Sequence, residues 1–223
     1  MKQSEVDKAL AAAFKPAIEV TAWKKAGGFL YCQKYKLFFR LIILGVGKAG
    51  TIQHTLDYKH FEFDDLFWRI VRLPENSKRP LSFRAQGAWV FPSFRVYEGE
   101  LPNSDWELRH LTRVVEGLVA EADARSAELA ERVRTPDQNL DQLERLLSKL
   151  MQDYPGAAVD ICRERMMTAI LNRDIPTAKR IVRDRISGND IGGFSMGSKS
   201  FYHLAAEFLE TLPASASEGA GRS

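Results

Sequence analysis

The sequence predicts an α+β protein: a small, mainly antiparallel sheet with packed helices, followed by an all-helical C-terminal half. Three observations carry this. Between Phe29 and Tyr97 apolar residues tend to recur at every second position, the period of a strand. After Leu101-Pro102 they recur every three or four positions, the period of a helix. The most apolar run, Leu37-Phe38-Phe39-Arg40-Leu41-Ile42-Ile43-Leu44, is apolar on both alternating faces, as a central strand is. The expected division is 1–101 for a sheet domain, 102–212 for a helical domain and 213–223 for a small, polar, disordered tail.

Taken in chain order, Val6, Leu10, Ala13, Phe14, Ala17 and Ile18 fall on one helical face, and Pro16 is expected to break or bend that helix. Gly27-Gly28 ends the segment, and Phe29-Leu30-Tyr31-Cys32 reads as a first strand leading to the Leu37 strand. Thr51 to Lys59 alternates, with Ile52, His54, Leu56 and Tyr58 on one side, so it reads as a strand paired through a glycine turn. Asp64 to Val71 fits a short helix opened by acids, and Leu73 to Pro80 a polar loop. Alternation returns from Leu81 to Tyr97 and changes phase at Pro92, which marks a bulge, turn or edge.

The helical half opens at Ser104-Asp105-Trp106-Glu107, a capping box. From that cap a stripe carried by Leu108 to Val133 makes a helix of close to thirty residues, about 45 Å, either continuous or bent near Gly117. Thr135-Pro136-Asp137 starts the next helix, which Tyr154-Pro155-Gly156 stops. A helical hairpin comes next, its second helix beginning at Asp174-Ile175-Pro176, where proline costs least. Gly188 to Ser198 is a loop, and Phe201 to Leu209 the final helix.

Composition narrows the function. No window reaches the roughly 18 to 20 apolar residues of a membrane-spanning helix. The first residues carry acids where a secretory leader has bases, so a cytoplasmic location is expected, with no membrane partner. Cys32 and Cys162, far apart and without C-x-x-C spacing, fit a reducing compartment. The net charge of +3 hides a basic stretch up to Tyr97 and an acidic one from Glu98 to Tyr154. Such a split suits either an acidic partner or two parts that attract each other.

Three groups of residues invite a chemical reading. Gly45, Gly47 and Gly50 spell G-x-G-x-x-G, but Thr51 to Lys59 alternates like a strand instead of opening the helix that a nucleotide cradle needs. Gly193-Phe194-Ser195-Met196-Gly197 spells G-x-S-x-G without an apolar strand before it or an acid ahead of His203. His54 and His60 stand about 20 Å apart on one strand, too far to share a metal with Asp57, Asp64 or Asp65; His54 is expected partly buried and His60 on the surface. No catalytic residue, metal site or cofactor is assigned.

Binding residues are assigned on two surfaces. Arg40, Arg84, Trp89, Arg95 and Tyr97 give the sheet the arginine and aromatic composition of an interface. Arg180 and Arg183 belong to a basic cluster on the hairpin, with Arg163, Arg165, Arg173, Lys179 and Arg185, which a solvated face paired with the acidic helix also explains.

Phe14-Lys15-Pro16, Trp23-Lys24-Lys25 and Gly28-Phe29-Leu30-Tyr31, followed by two strands, a loop and a helical C-terminal half, resemble in plan uncharacterised bacterial families of unknown function. Those are small α+β proteins with a helical extension, some related to toxin–immunity systems. The resemblance extends to about Ile186 and transfers no catalytic residue. The expectation is therefore a cytoplasmic, non-catalytic interaction module of immunity or adaptor type, holding a protein partner, with homo-oligomerisation left open. The alternative is an enzyme or binder for a phosphorylated or nucleic-acid substrate, using Arg40, Arg84 or Arg95 with His54.

Overall fold

The computed structural model describes residues 3–46, 51–85, 91–102, 108–155 and 160–213. Within them lies the α+β fold, a five-stranded antiparallel sheet with packed helices, followed by a mostly helical region. The chain divides into two units, Met1–Phe61 with Pro80–Arg134, and Glu62–Arg79 with Thr135–Ser223.

In the first unit, helix α1 (Gln3–Ile18) buries Val6, Leu10, Ala13, Phe14 and Ala17. Pro16 lies in its last turn, and the helix ends two residues later. The strands β1 (Lys24–Ala26), β2 (Phe29–Lys34), β3 (Leu37–Val46), β4 (Thr51–His60) and β5 (Phe94–Leu101) stand in chain order across the sheet. The edge strand β1 was not foreseen; Gly27, at φ 57°, supplies the left-handed residue of its tight turn into β2. β3 is the central strand, and its register with β4 runs unbroken from Leu37↔His60 to Val46↔Thr51. Gly45 lies within β3, while Gly47 and Gly50, expected in a turn, lie outside the described residues.

The two faces of the sheet differ. Leu30, Cys32, Phe39, Leu41, Ile43, Leu56 and Tyr58 form the inner face and are buried. Helix α4 (Leu111–Arg132) runs unbroken through Gly117, buries Val115, Leu118, Ala122 and Leu129, and packs on α1, β2 and β3. Asp123 on α4 accepts from Trp23 Nε1 at 3.1 Å and pairs with Lys34 at 2.8 Å, so the basic stretch and the acidic helix meet within one unit. Ser104 to Glu107, the expected capping box, lie outside the described residues.

Leu81 to Ala85 overturns the expected strand. This segment is a short helix, α3, whose first turn closes on Pro80, with Phe83 and Arg84 donating to its carbonyl at 2.9 and 3.1 Å. Leu81 joins Phe29, Phe38 and Phe61 in an aromatic cluster, and the Arg84 guanidinium lies 4.1 Å from the Phe61 ring centre. Positions three apart meet that cluster, a helical spacing that the alternating letters concealed.

The second unit contains most of α2 (Phe61–Ile70), a tight turn of helix at Pro74–Lys78, and α5 (Pro136–Asp153), α6 (Cys162–Leu171), α7 (Ile175–Ser187) and α8 (Phe201–Glu210). Thr135 caps α5 reciprocally with Gln138, Asp174 caps α7 and Ser200 caps α8. Helices α6, α7 and α8 pack in succession. Phe67 stacks on Phe201 at 5.8 Å and meets Phe194 edge-on at 5.4 Å. The expected loop from Gly188 to Ser198 contains strand β6 (Ser195–Met196), paired with β7 (Lys199–Ser200). The motif serine Ser195 thus sits in a two-residue ladder and not between a buried strand and a helix.

Candidate functional site

The outer face of the sheet is built by register. Arg40 on β3 stands opposite Asp57 on β4, which stands opposite Arg95 on β5. The Asp57 side chain is only 6% exposed. Its Oδ2 accepts from Arg40 Nε at 3.2 Å and Arg40 Nη2 at 2.7 Å, and Arg95 Nε lies 3.6 Å from its Oδ1. Arg95 also pairs with Glu98 at 2.5 Å. Asp57 thus holds the Arg40 guanidinium, Glu98 holds that of Arg95 with Asp57 nearby, and the four groups together carry little net charge.

The aromatic cluster flanks this row, with Phe38 and Phe61 on one side, Phe29 opposite Ile42 on the other, and Ile42 and Leu81 of α3 packed against it. On the Ile42 side lies a cavity of about 550 Å³ lined by Ile42, Leu44, Gln53, Thr55, Glu98 and Glu100 with neighbouring residues. Leu44 is 50% exposed and Ile42 partly buried. The Thr55 hydroxyl is buried and has no hydrogen-bond partner among the described residues. Glu100 accepts from Gln53 Nε2 at 2.5 Å.

A bulge separates Arg95 from Tyr97. Leu56 faces Tyr97, yet the next residue, Asp57, faces Arg95, leaving Val96 as the extra residue. Successive residues of β4 point to opposite faces, so Arg95 shares the outer face with Arg40 while Tyr97 shares the inner face with His54. The expected grouping of Tyr97 with the arginines is therefore split. Arg84 sits on α3 and is buried over Phe61, and Trp89 lies outside the described residues.

On the inner face His54 is buried, with Tyr97 edge-on at 5.7 Å and the Arg125 guanidinium 4.5 Å from the Tyr97 ring centre. The His54 Nδ1 and the Tyr97 hydroxyl have no hydrogen-bond partner among the described residues. Burial lowers the His54 pKa and pushes Tyr97 up to about 12, so both rings are neutral near pH 7. His60, expected on the surface, is buried opposite Leu37.

Gly99 faces His54, and a Cβ there would lie 2.6 Å from the imidazole Cε1 and Nε2. Gly99→Ala is expected to cost about 1–3 kcal/mol by overpacking. Adding His54→Ala should recover most of it, as urea denaturation of the single and double variants will show. An unchanged midpoint for Gly99→Ala would mean that the ring is free to move.

The second unit has a groove of about 500 Å³ across α5, α6 and α7. Arg180 lines it, whereas Arg183 is exposed outside the lining. Arg165 pairs with Glu144 at 3.1 Å, and Arg185 with Asp160 at 2.9 Å. Arg163 donates to the Gly192 carbonyl at 3.1 Å. The basic cluster is thus largely absorbed by neighbouring acceptors. Burial pushes the Cys162 thiol up to about 11 and Cys32 up to about 12, leaving both protonated.

Sequence reasoning missed Asp57 as the organiser of the row, and missed Ile42, Leu44, Thr55, Glu98 and Glu100. Their signal was the cross-strand register, which one strand read alone does not contain.

The fold and site define an α+β protein with one packed and one partly open sheet face. No family model, curated protein or solved structure matches the chain. Among the described residues no helix is long and apolar enough to cross a membrane.

Proposed function

We propose that the chain is a non-catalytic protein-interaction module, of the immunity or adaptor kind, that holds a partner protein on the outer face of its sheet. One observation carries this reading: Leu44 is half exposed, with Ile42 partly so, on the face where Asp57 holds the Arg40 guanidinium and Glu98 that of Arg95. Accessible apolar surface next to arginines held in place is suited to burial against a folded partner, because little side-chain entropy remains to be lost. A phosphorylated or nucleic-acid ligand would meet Asp57, Glu98 and Glu100 among the same arginines, and His54 on the other face. The free, buried state of Cys32 and Cys162 supports a cytoplasmic setting.

The test is affinity capture from the native host with tagged wild type and Leu44→Glu, each checked for folding by its thermal transition. A partner retained by wild type and lost by Leu44→Glu is the expected result. Retention of the same partner by a folded Leu44→Glu would remove the sheet face from the function.

A further inference from the structure

The edge of the sheet narrows the chemistry of the partner, on the premise that the outer face is the docking surface. β5 is outermost, with no strand beyond it among the described residues. Alternate residues of such a strand turn their N–H and C=O groups outward, a template for another extended chain. Past the bulge, Glu98 and Glu100 stand on the outer face and Tyr97, Gly99 and Leu101 on the inner. Glu98 gives one carboxylate oxygen to Arg95 and Glu100 one to Gln53. The other oxygen of each has no bond among the described residues.

Charge decides which strand this edge accepts. Antiparallel self-pairing centred on residue 98, 99 or 100 sets a glutamate opposite a glutamate, which is destabilising. A strand with lysine or arginine at alternate positions sets cations there instead. A side chain laid inward from such a strand meets Glu98 and Glu100 first, which supply the countercharge, with the unpartnered Thr55 hydroxyl opposite Glu98 on the next strand.

We propose that β5 receives, as a sixth strand, an extended segment of a partner protein with lysine or arginine at alternate positions, these side chains lying against Glu98 and Glu100 on the outer face. Backbone hydrogen bonds supply the attachment and the alternate cations the selectivity.

The probe is a capped, dye-labelled Lys-Val-Lys-Val-Lys peptide, titrated into the full chain by fluorescence anisotropy. Saturable binding is expected, about tenfold or more weaker for a Glu-Val-Glu-Val-Glu peptide, for the lysine peptide N-methylated along its backbone, and for the Glu98→Lys/Glu100→Lys variant. Equal binding by the N-methylated peptide would reduce the contact to charge alone and overturn strand addition. Unchanged affinity of the folded double variant would overturn the role of the glutamates. Absence of binding by the lysine peptide, while Leu44→Glu still releases the captured partner, would remove this inference and leave the sheet-face reading standing. A wild-type dimer dissociated by the double variant would assign the edge to a second copy and overturn the proposal.

Discussion

Asp57→Asn is expected to lower folding stability by about 2–4 kcal/mol, one of the two largest single-site effects expected of this chain. The carboxylate is buried, and the amide that replaces it carries no charge to offset two neighbouring guanidiniums. Arg95 is 54% exposed, so water compensates most of its loss. Arg40 is 24% exposed, and it bears the cost, because its Nε and Nη2 both donate to one carboxylate oxygen. Removing one member of a buried pair strands the other, which is why the expected loss exceeds that of a surface ion pair. Arg40→Met in the Asp57→Asn background should recover part of the loss, giving a coupling of about 1 kcal/mol or more in a double-mutant cycle. A loss under about 0.5 kcal/mol for Asp57→Asn would place this pair among surface interactions.

Glu164→Gln is expected to act in the opposite direction. Glu164 on α6 is fully buried, neither of its oxygens has a hydrogen-bond partner among the described residues, and the Arg163 Nη2 lies 3.8 Å from its Oε1. Burial raises its pKa, more than Arg163 lowers it. The folded state therefore holds its proton above the ordinary glutamate value of about 4.3, where the unfolded chain releases it. Stability falls as pH rises through the window between the unfolded and folded pKa, and the penalty is complete above the folded value. Glutamine keeps the shape without the ionisation, so Glu164→Gln should be more stable than wild type by about 1–3 kcal/mol at neutral pH. The difference should shrink as pH approaches the unfolded glutamate value. Chemical denaturation of both proteins across that range is the measurement. A less stable Glu164→Gln at neutral pH would show an ionised carboxylate supported by Arg163.

The sheet was legible in the sequence wherever one strand carried its own signal. Leu37 to Leu44 is apolar on both faces, and Thr51 to Lys59 alternates, so the centre of the sheet and the β3–β4 pairing followed from local pattern. Leu81 to Ala85 did not, because in a five-residue helix the contacts three apart are as few as those of an alternating strand. The site was legible in part. Arg40 and Arg95 were found by residue type, but Tyr97 was placed on the wrong face because the bulge lies between paired strands and leaves no mark on one of them. His60 was placed on the surface because it ends a strand, whereas its inner-face position opposite Leu37 buries it.

The division into units has a consequence for synthesis. Glu62–Arg79 belongs to the second unit although it lies between β4 and β5 of the first, and α4 comes after β5. As the chain leaves the ribosome, α1 and the first four strands appear early, but the packing on β2 and β3 is completed only when α4 follows. Glu62–Arg79 in turn waits for the segment beyond Arg134. Neither unit is a continuous stretch, so a single cut cannot yield two self-sufficient fragments. Folding during translation must leave apolar surface exposed to the chaperones that guard nascent chains.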